Sequence, residues 1–127
     1  MKGQFSGNII IPASLNPWPH EMRVAKVLAL AGHEVVFIPT STIGTADIYV
    51  DKIPYEIKSP KSNKVNTIEH RIIDAISHQS RNIIIDSSRI KNITDRSLQN
   101  WLISRCRIQP QIQRMLSINR KGALLNN

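Results

Sequence analysis

Between Ala46 and Ser59 the chain reads ADIYVDKIPYEIKS, and this stretch constrains the fold more than any other. Side chains of a strand alternate between faces. Ile48 and Val50 therefore share one face, and Asp47, Tyr49 and Asp51 share the other. Past the turn, Tyr55 and Ile57 point one way and Glu56 and Lys58 the other. "DK" between the two runs permits a tight hairpin turn near Asp51 to Pro54, although its chemistry is weaker than Asn-Gly or Asp-Gly. Such a hairpin sets Asp47 across from the Glu56–Lys58 region.

The flanking sequence alternates strand-like and helix-like segments. Before the hairpin, NPWPHEMRVAKVLALAGHEV predicts a helix with Asn16 as cap and Pro17 or Pro19 in the first turn. Met22, Ala25, Leu28 and Ala29 fall on one face, and Gly32 suits the position after the end. EVVFIP is a short buried strand and TSTIGT a loop. After the hairpin and the basic loop PKSNKVN, Ile68, Ile72, Ala75 and Ile76 predict a helix capped by Thr67. RNIIIDSS is a second buried strand. Thr94 caps a helix bearing Leu98, Trp101 and Leu102, and two short strands flank NRKG. The order α-β-β-β-α-β-α-β-β predicts an α/β (α+β) domain, a mixed central sheet with flanking helices. Residues 1–16 read as a flexible N-terminal tail or linker with a short pairing segment at Asn8 to Ile11, and residues 17–127 as the domain.

Charge then narrows the partner. Lys and Arg number 17 against 9 Asp and Glu, a net charge of +8. That favours a polyanion, nucleic acid before an acidic protein or membrane surface. Cys106 is the only cysteine, so no internal disulfide forms and a cysteine-rich zinc site is excluded. No apolar run approaches the roughly 18 residues of a membrane span. The apolar run Ile9 to Ile11 is too short for a signal peptide.

Two carboxylates and a lysine converging at Asp47, Glu56 and Lys58 suit phosphoryl chemistry. The carboxylates can hold a hard divalent cation such as Mg²⁺, and the lysine offsets charge building on phosphorus. On pattern alone, E-x-K more often describes a solvated charged face. The order acid, gap, acid-x-Lys resembles the PD-(D/E)XK nuclease superfamily.

The likeness extends beyond that motif. HEMRVAKVLALAGHEVVFIP, TADIYVDKIPYEIKSPKS and TIEHRIIDAISHQSRNIIIDSSRIK, read in order, resemble the C-terminal tRNA-nuclease toxin domain of contact-dependent growth inhibition (CDI) effectors and related polymorphic toxins. The likeness runs from about His20 to the C-terminus. Its most specific pieces are EIKSPK from Glu56, the TIE start at Thr67 and QSRNIIID from Gln79 to Asp86. Ala46 and Tyr55 depart from the family, which often has proline before the first acid and tryptophan before the second.

The resemblance implies an RNase with a PD-(D/E)XK-like core, carried by a secreted or cell-surface-delivered effector. It would cleave tRNA in the cytoplasm of a target bacterium and be neutralised by a cognate immunity protein. That partner is expected to be acidic and to cover the Asp47–Lys58 groove. Carried over to this chain, the catalytic set is Glu21, Asp47, Glu56 and Lys58, with Thr67 close by. His70, three residues after Thr67, is a candidate acid or base. Asp47 and Glu56 are the candidate ligands for Mg²⁺ or another divalent cation, with metal-independent cleavage left open because RNA carries its own 2′-OH nucleophile. Lys61, Lys64, Arg71, Arg89 and Lys91 are candidate RNA contacts. Each has a plainer reading: Glu21 as a favourable first-turn charge, Lys58 as an edge-strand lysine, His70 as an exposed helix position. Trp18 and Trp101 are expected as core or half-buried anchors, with base stacking as the alternative. Gln79 and Asp86 are expected to hold the helix–strand junction. A DNase of the same superfamily and a non-catalytic RNA-binding module are the competing functions.

Overall fold

The computed structural model describes residues 7–39, 46–61, 64–78, 81–91, 93–107 and 110–126. The loop expected at 40–45, and Gln79, lie outside them. Strands β1 (Ile9–Ile10), β2 (Val35–Phe37), β3 (Ile48–Val50), β4 (Ile53–Lys58), β5 (Asn82–Asp86), β6 (Arg114–Ile118) and β7 (Leu124–Asn126) form one sheet in sequence order. The pairs β1–β2, β4–β5 and β5–β6 are parallel, and β2–β3, β3–β4 and β6–β7 antiparallel. Helices α1 (Pro19–Leu30), α2 (Val65–His78) and α3 (Asp95–Trp101) accompany it, and α3 runs on into a π-helical segment, Leu102–Arg107. The mixed α/β sheet expected from the sequence is thus observed.

Two apolar cores hold the layers together. One joins Val24, Ala25 and Leu28 of α1 to Val35, Phe37, Ile48, Val50, Tyr55, Ile57 and Ile84. The other joins Ile68 of α2 and Leu98 of α3 to Ile83, Ile85 and Met115. The run Ile83-Ile84-Ile85 feeds both and is fully buried, as the strand of a parallel sheet covered on both faces must be. Each such isoleucine stabilises the fold by about 2 kcal/mol.

Helix ends differ from expectation in two places. Trp18, not Asn16, is the cap of α1, with Pro19 at the first helical position and the Trp18 amide donating to Glu21 Oε1 at 2.9 Å. Helix α2 begins at Val65, so Thr67 sits inside its first turn rather than capping it. Thr94 does cap α3, accepting from the Ser97 amide at 3.1 Å. Gly32 takes φ 97° past the end of α1, and its amide donates to the Ala29 carbonyl while His33 N donates to Leu28 O.

This turn positions two further segments. Gly7 donates to Ala29 O at 2.6 Å, and a Cβ there would lie 1.7 Å from His33 O. Only glycine fits, which lets the segment before β1 lie against the end of α1. His33 in turn meets Asp51 of the hairpin, Nδ1 to Oδ2 at 2.6 Å.

Candidate active site

The β3–β4 hairpin turns on two residues, Asp51 (φ 50°) and Lys52 (φ 72°), both left-handed. This is the twist that two-residue hairpins favour. Asp51 tolerates it because its carboxylate accepts from the Glu34 amide at 2.8 Å as well as meeting His33. The His33 hydrogen bond, then the Glu34 amide, hold its carboxyl below the usual range. The turn fixes the register Val50–Ile53, Tyr49–Pro54, Ile48–Tyr55. One step further, the Asp47 amide donates to Tyr55 O at 2.9 Å, so Asp47 comes against Glu56.

Asp47 and Glu56 bring their carboxyl groups next to each other. Asp47 Oδ2 also accepts from the Ile57 amide at 2.7 Å, and Lys58 Nζ lies 3.8 Å from Glu56 Oε1. In the parallel ladder Glu56 lies beside Ile83 and Lys58 beside Ile85, on the α2 side. That apolar setting buries Glu56 to 5% exposure. Burial first, and the Asp47 charge second, push its carboxyl up to about 7 against the pull of Lys58. Near neutral pH Glu56 is therefore partly protonated. Asp47 is half-exposed and Glu56 is not, so Asp47 is the member of the pair open to solvent.

Asp47 and Glu21 line one cavity of about 120 Å³, together with Leu15, Asn16, Trp18 and Phe37. Glu21 thus caps its helix with Oε1 and still borders the site. Among the described residues no three His, Cys, Asp or Glu side chains converge as a metal cluster, so Glu21 does not join the other two acids. Two oxygen-bearing carboxylates fit a cation of the Mg²⁺ kind, which keeps several waters and takes phosphate oxygens.

The remaining sequence candidates spread outward. Thr67 is half-buried and His70 exposed on α2, and neither hydrogen-bonds Asp47, Glu56 or Lys58 among the described residues. Lys61, Lys64, Arg71 and Lys91 are exposed. Arg89 is half-buried and fixed, donating from Nε (3.1 Å) and Nη2 (2.5 Å) to the Ser59 carbonyl. Trp101 packs against the second core, but Trp18 is 68% exposed, contrary to its expected place as an anchor.

A buried network beside the site was not legible as such. Asp86 does not hold the α2–β5 junction; it ends β5 on the far side and is fully buried. It accepts from Arg23 Nη1 (3.0 Å), Ser59 Oγ (3.2 Å), and the amide and hydroxyl of Ser88 (3.1 and 3.0 Å). Arg23 Nη2 also reaches the carbonyls of Asn119 (3.2 Å) and Arg120 (3.3 Å). The network ties α1, β5 and the β6–β7 turn to Ser59, the residue after Lys58. A carboxylate directly after three buried isoleucines was the sequence signal that a buried cation must meet it.

The same architecture occurs in a solved structure. A chain of the CdiA-CT/CdiI toxin and immunity complex from Burkholderia pseudomallei superposes with a TM-score of 0.67 over 96% of both chains, at 18% sequence identity. The fold is shared. No protein-family model matches the sequence, and no curated protein matches it.

Proposed function

We propose that this chain is the ribonuclease domain of a CDI-type toxin, cleaving tRNA in a target bacterium and held inactive by a cognate immunity protein. The observation that carries the chemistry is the juxtaposition of Asp47, buried Glu56 and Lys58, with Lys58 Nζ 3.8 Å from Glu56 Oε1, in a chain of net charge +8. The fold likeness to a toxin and immunity complex supports the biological setting.

In this reading the PD-(D/E)XK-like core uses Asp47 toward substrate. Its half-exposed carboxylate accepts the proton of the attacking oxygen. Glu56 behind it holds the proton that keeps the pair singly charged. Lys58 faces the negative charge that develops on the phosphoryl oxygens. Asp47 and Glu56 would also hold a divalent cation, which supplies Lewis-acid polarisation and an activated water when bound. The basic side chains Lys61, Lys64, Arg71 and Lys91 attract the RNA backbone and fix little sequence. An immunity protein that meets this surface would be acidic.

Purified protein incubated separately with total tRNA and with duplex DNA tests the proposal. Discrete tRNA fragments and intact DNA are expected. Cut DNA with intact tRNA would assign the site to a DNase, and two intact substrates would remove the catalytic reading.

A further inference from the structure

A second cavity, about 440 Å³, is lined by Trp18, Pro19, His20 and Arg89. Trp18 thus forms a wall of both cavities, with Asp47 and Glu21 bordering the smaller one. We propose that the larger cavity is a nucleotide subsite in which an unpaired RNA base stacks on the Trp18 indole and its phosphate meets Arg89. This rests on the ribonuclease reading above and names which feature of the RNA the site holds.

Three observations carry it. Trp18 is 68% exposed, so its indole gains little from the fold itself; its structural duty in capping α1 is performed by its backbone. Large exposed aromatics beside cations are the platform on which single-stranded nucleic acid stacks, and every base offers such a face. Arg89 is preorganised: two of its nitrogens are committed to Ser59 O, and Ser59 is anchored to buried Asp86. The cavity volume falls in the range of small-ligand sites.

The arrangement explains the strange placement of a tryptophan as helix cap. Because Trp18 borders both cavities, a base against the indole brings the RNA beside the cavity that Asp47 lines. The base must leave its stack to enter, so the subsite selects loops, bulges or ends over duplex.

Fluorescence tests this without any cleavage. In a Trp101→Phe, Asp47→Asn protein Trp18 is the sole indole and turnover is removed. A single-stranded RNA hexamer is titrated in, with a blunt RNA duplex of equal charge per strand as the comparison. The expected result is strong quenching by the hexamer and weak quenching by the duplex. Adding Trp18→Ala, or Arg89→Ala in the protein that keeps Trp18, weakens hexamer binding about 5- to 100-fold, read by anisotropy of a labelled hexamer. Trp18→Phe retains most of the affinity, which separates stacking from a folding defect. Equal affinity in Trp18→Ala and the parent, or saturation by hexamer with no quenching, overturns the proposal. Quenching by an acidic partner protein and not by RNA would assign the groove to protein contact and overturn it as well. Because the readout is binding, a protein that stacks RNA but never cuts it would contradict the ribonuclease reading alone.

Discussion

Asp47 comes against Glu56 one step beyond the Ile48–Tyr55 pair of the β3–β4 hairpin, with Glu56 buried and Asp47 half-exposed. The two acids are equivalent in the linear motif and unequal in space. Burial makes Glu56 the proton holder and leaves Asp47 to face solvent. The pair is costly when both members are ionised, and that cost is measurable.

Glu56→Gln raises stability at alkaline pH. The folded state holds the Glu56 proton more tightly than the unfolded chain, with a carboxyl near 7 against an ordinary value of 4.5. Its contribution is full below pH 4.5 and is lost as pH rises through about 7. Urea unfolding at pH 5 and pH 8 should show the variant gaining on the parent by up to about 3 kcal/mol at the higher pH. An advantage that does not grow with pH would contradict the raised carboxyl.

Divalent cation binding competes with that same proton. Mg²⁺ affinity measured calorimetrically should rise about tenfold between pH 6 and pH 8 and release protons, and Asp47→Asn should abolish it. EDTA should stop tRNA cleavage and added Mg²⁺ restore it. Undiminished cleavage in EDTA would confine the chemistry to the side chains themselves.

Arg23→Ala should be severe although Arg23 touches no proposed substrate. It leaves Asp86 fully buried without its cation, a loss of about 3 kcal/mol or more. The urea midpoint measures it; an unchanged midpoint would show that Ser59 and Ser88 suffice.

Gly7→Ala should release the segment before β1. The new Cβ would collide with the His33 carbonyl, backbone that cannot swing aside. Faster hydrogen exchange at Val35, whose amide donates to Asn8 O, would report it. Wild-type protection at Val35 would mean that the contact gives way elsewhere.

The hairpin was legible because period-two alternation and a two-residue turn together determine which side chains oppose each other. Gly32 and the Ile83–Ile85 strand were legible for the same local reason. Depth was not: alternation places Glu56 and Lys58 on a face without saying that Ile83 and Ile85 wall Glu56 in. Helix starts were misplaced where polar residues offered rival caps, at Asn16 and at Thr67. The Arg23–Asp86 contact spans 63 residues and has no local signature. Trp18 was expected inside because aromatics bury well; its position before Pro19 at the start of α1 left it outside instead.

The most direct test of the central claim is sequencing of tRNA ends after brief expression of the chain, beside its Asp47→Asn and Lys58→Ala variants. The account predicts new ends at a defined tRNA position with the parent chain and none with either variant, both of them folded. No new ends with the parent, or the same ends with Asp47→Asn, would contradict it.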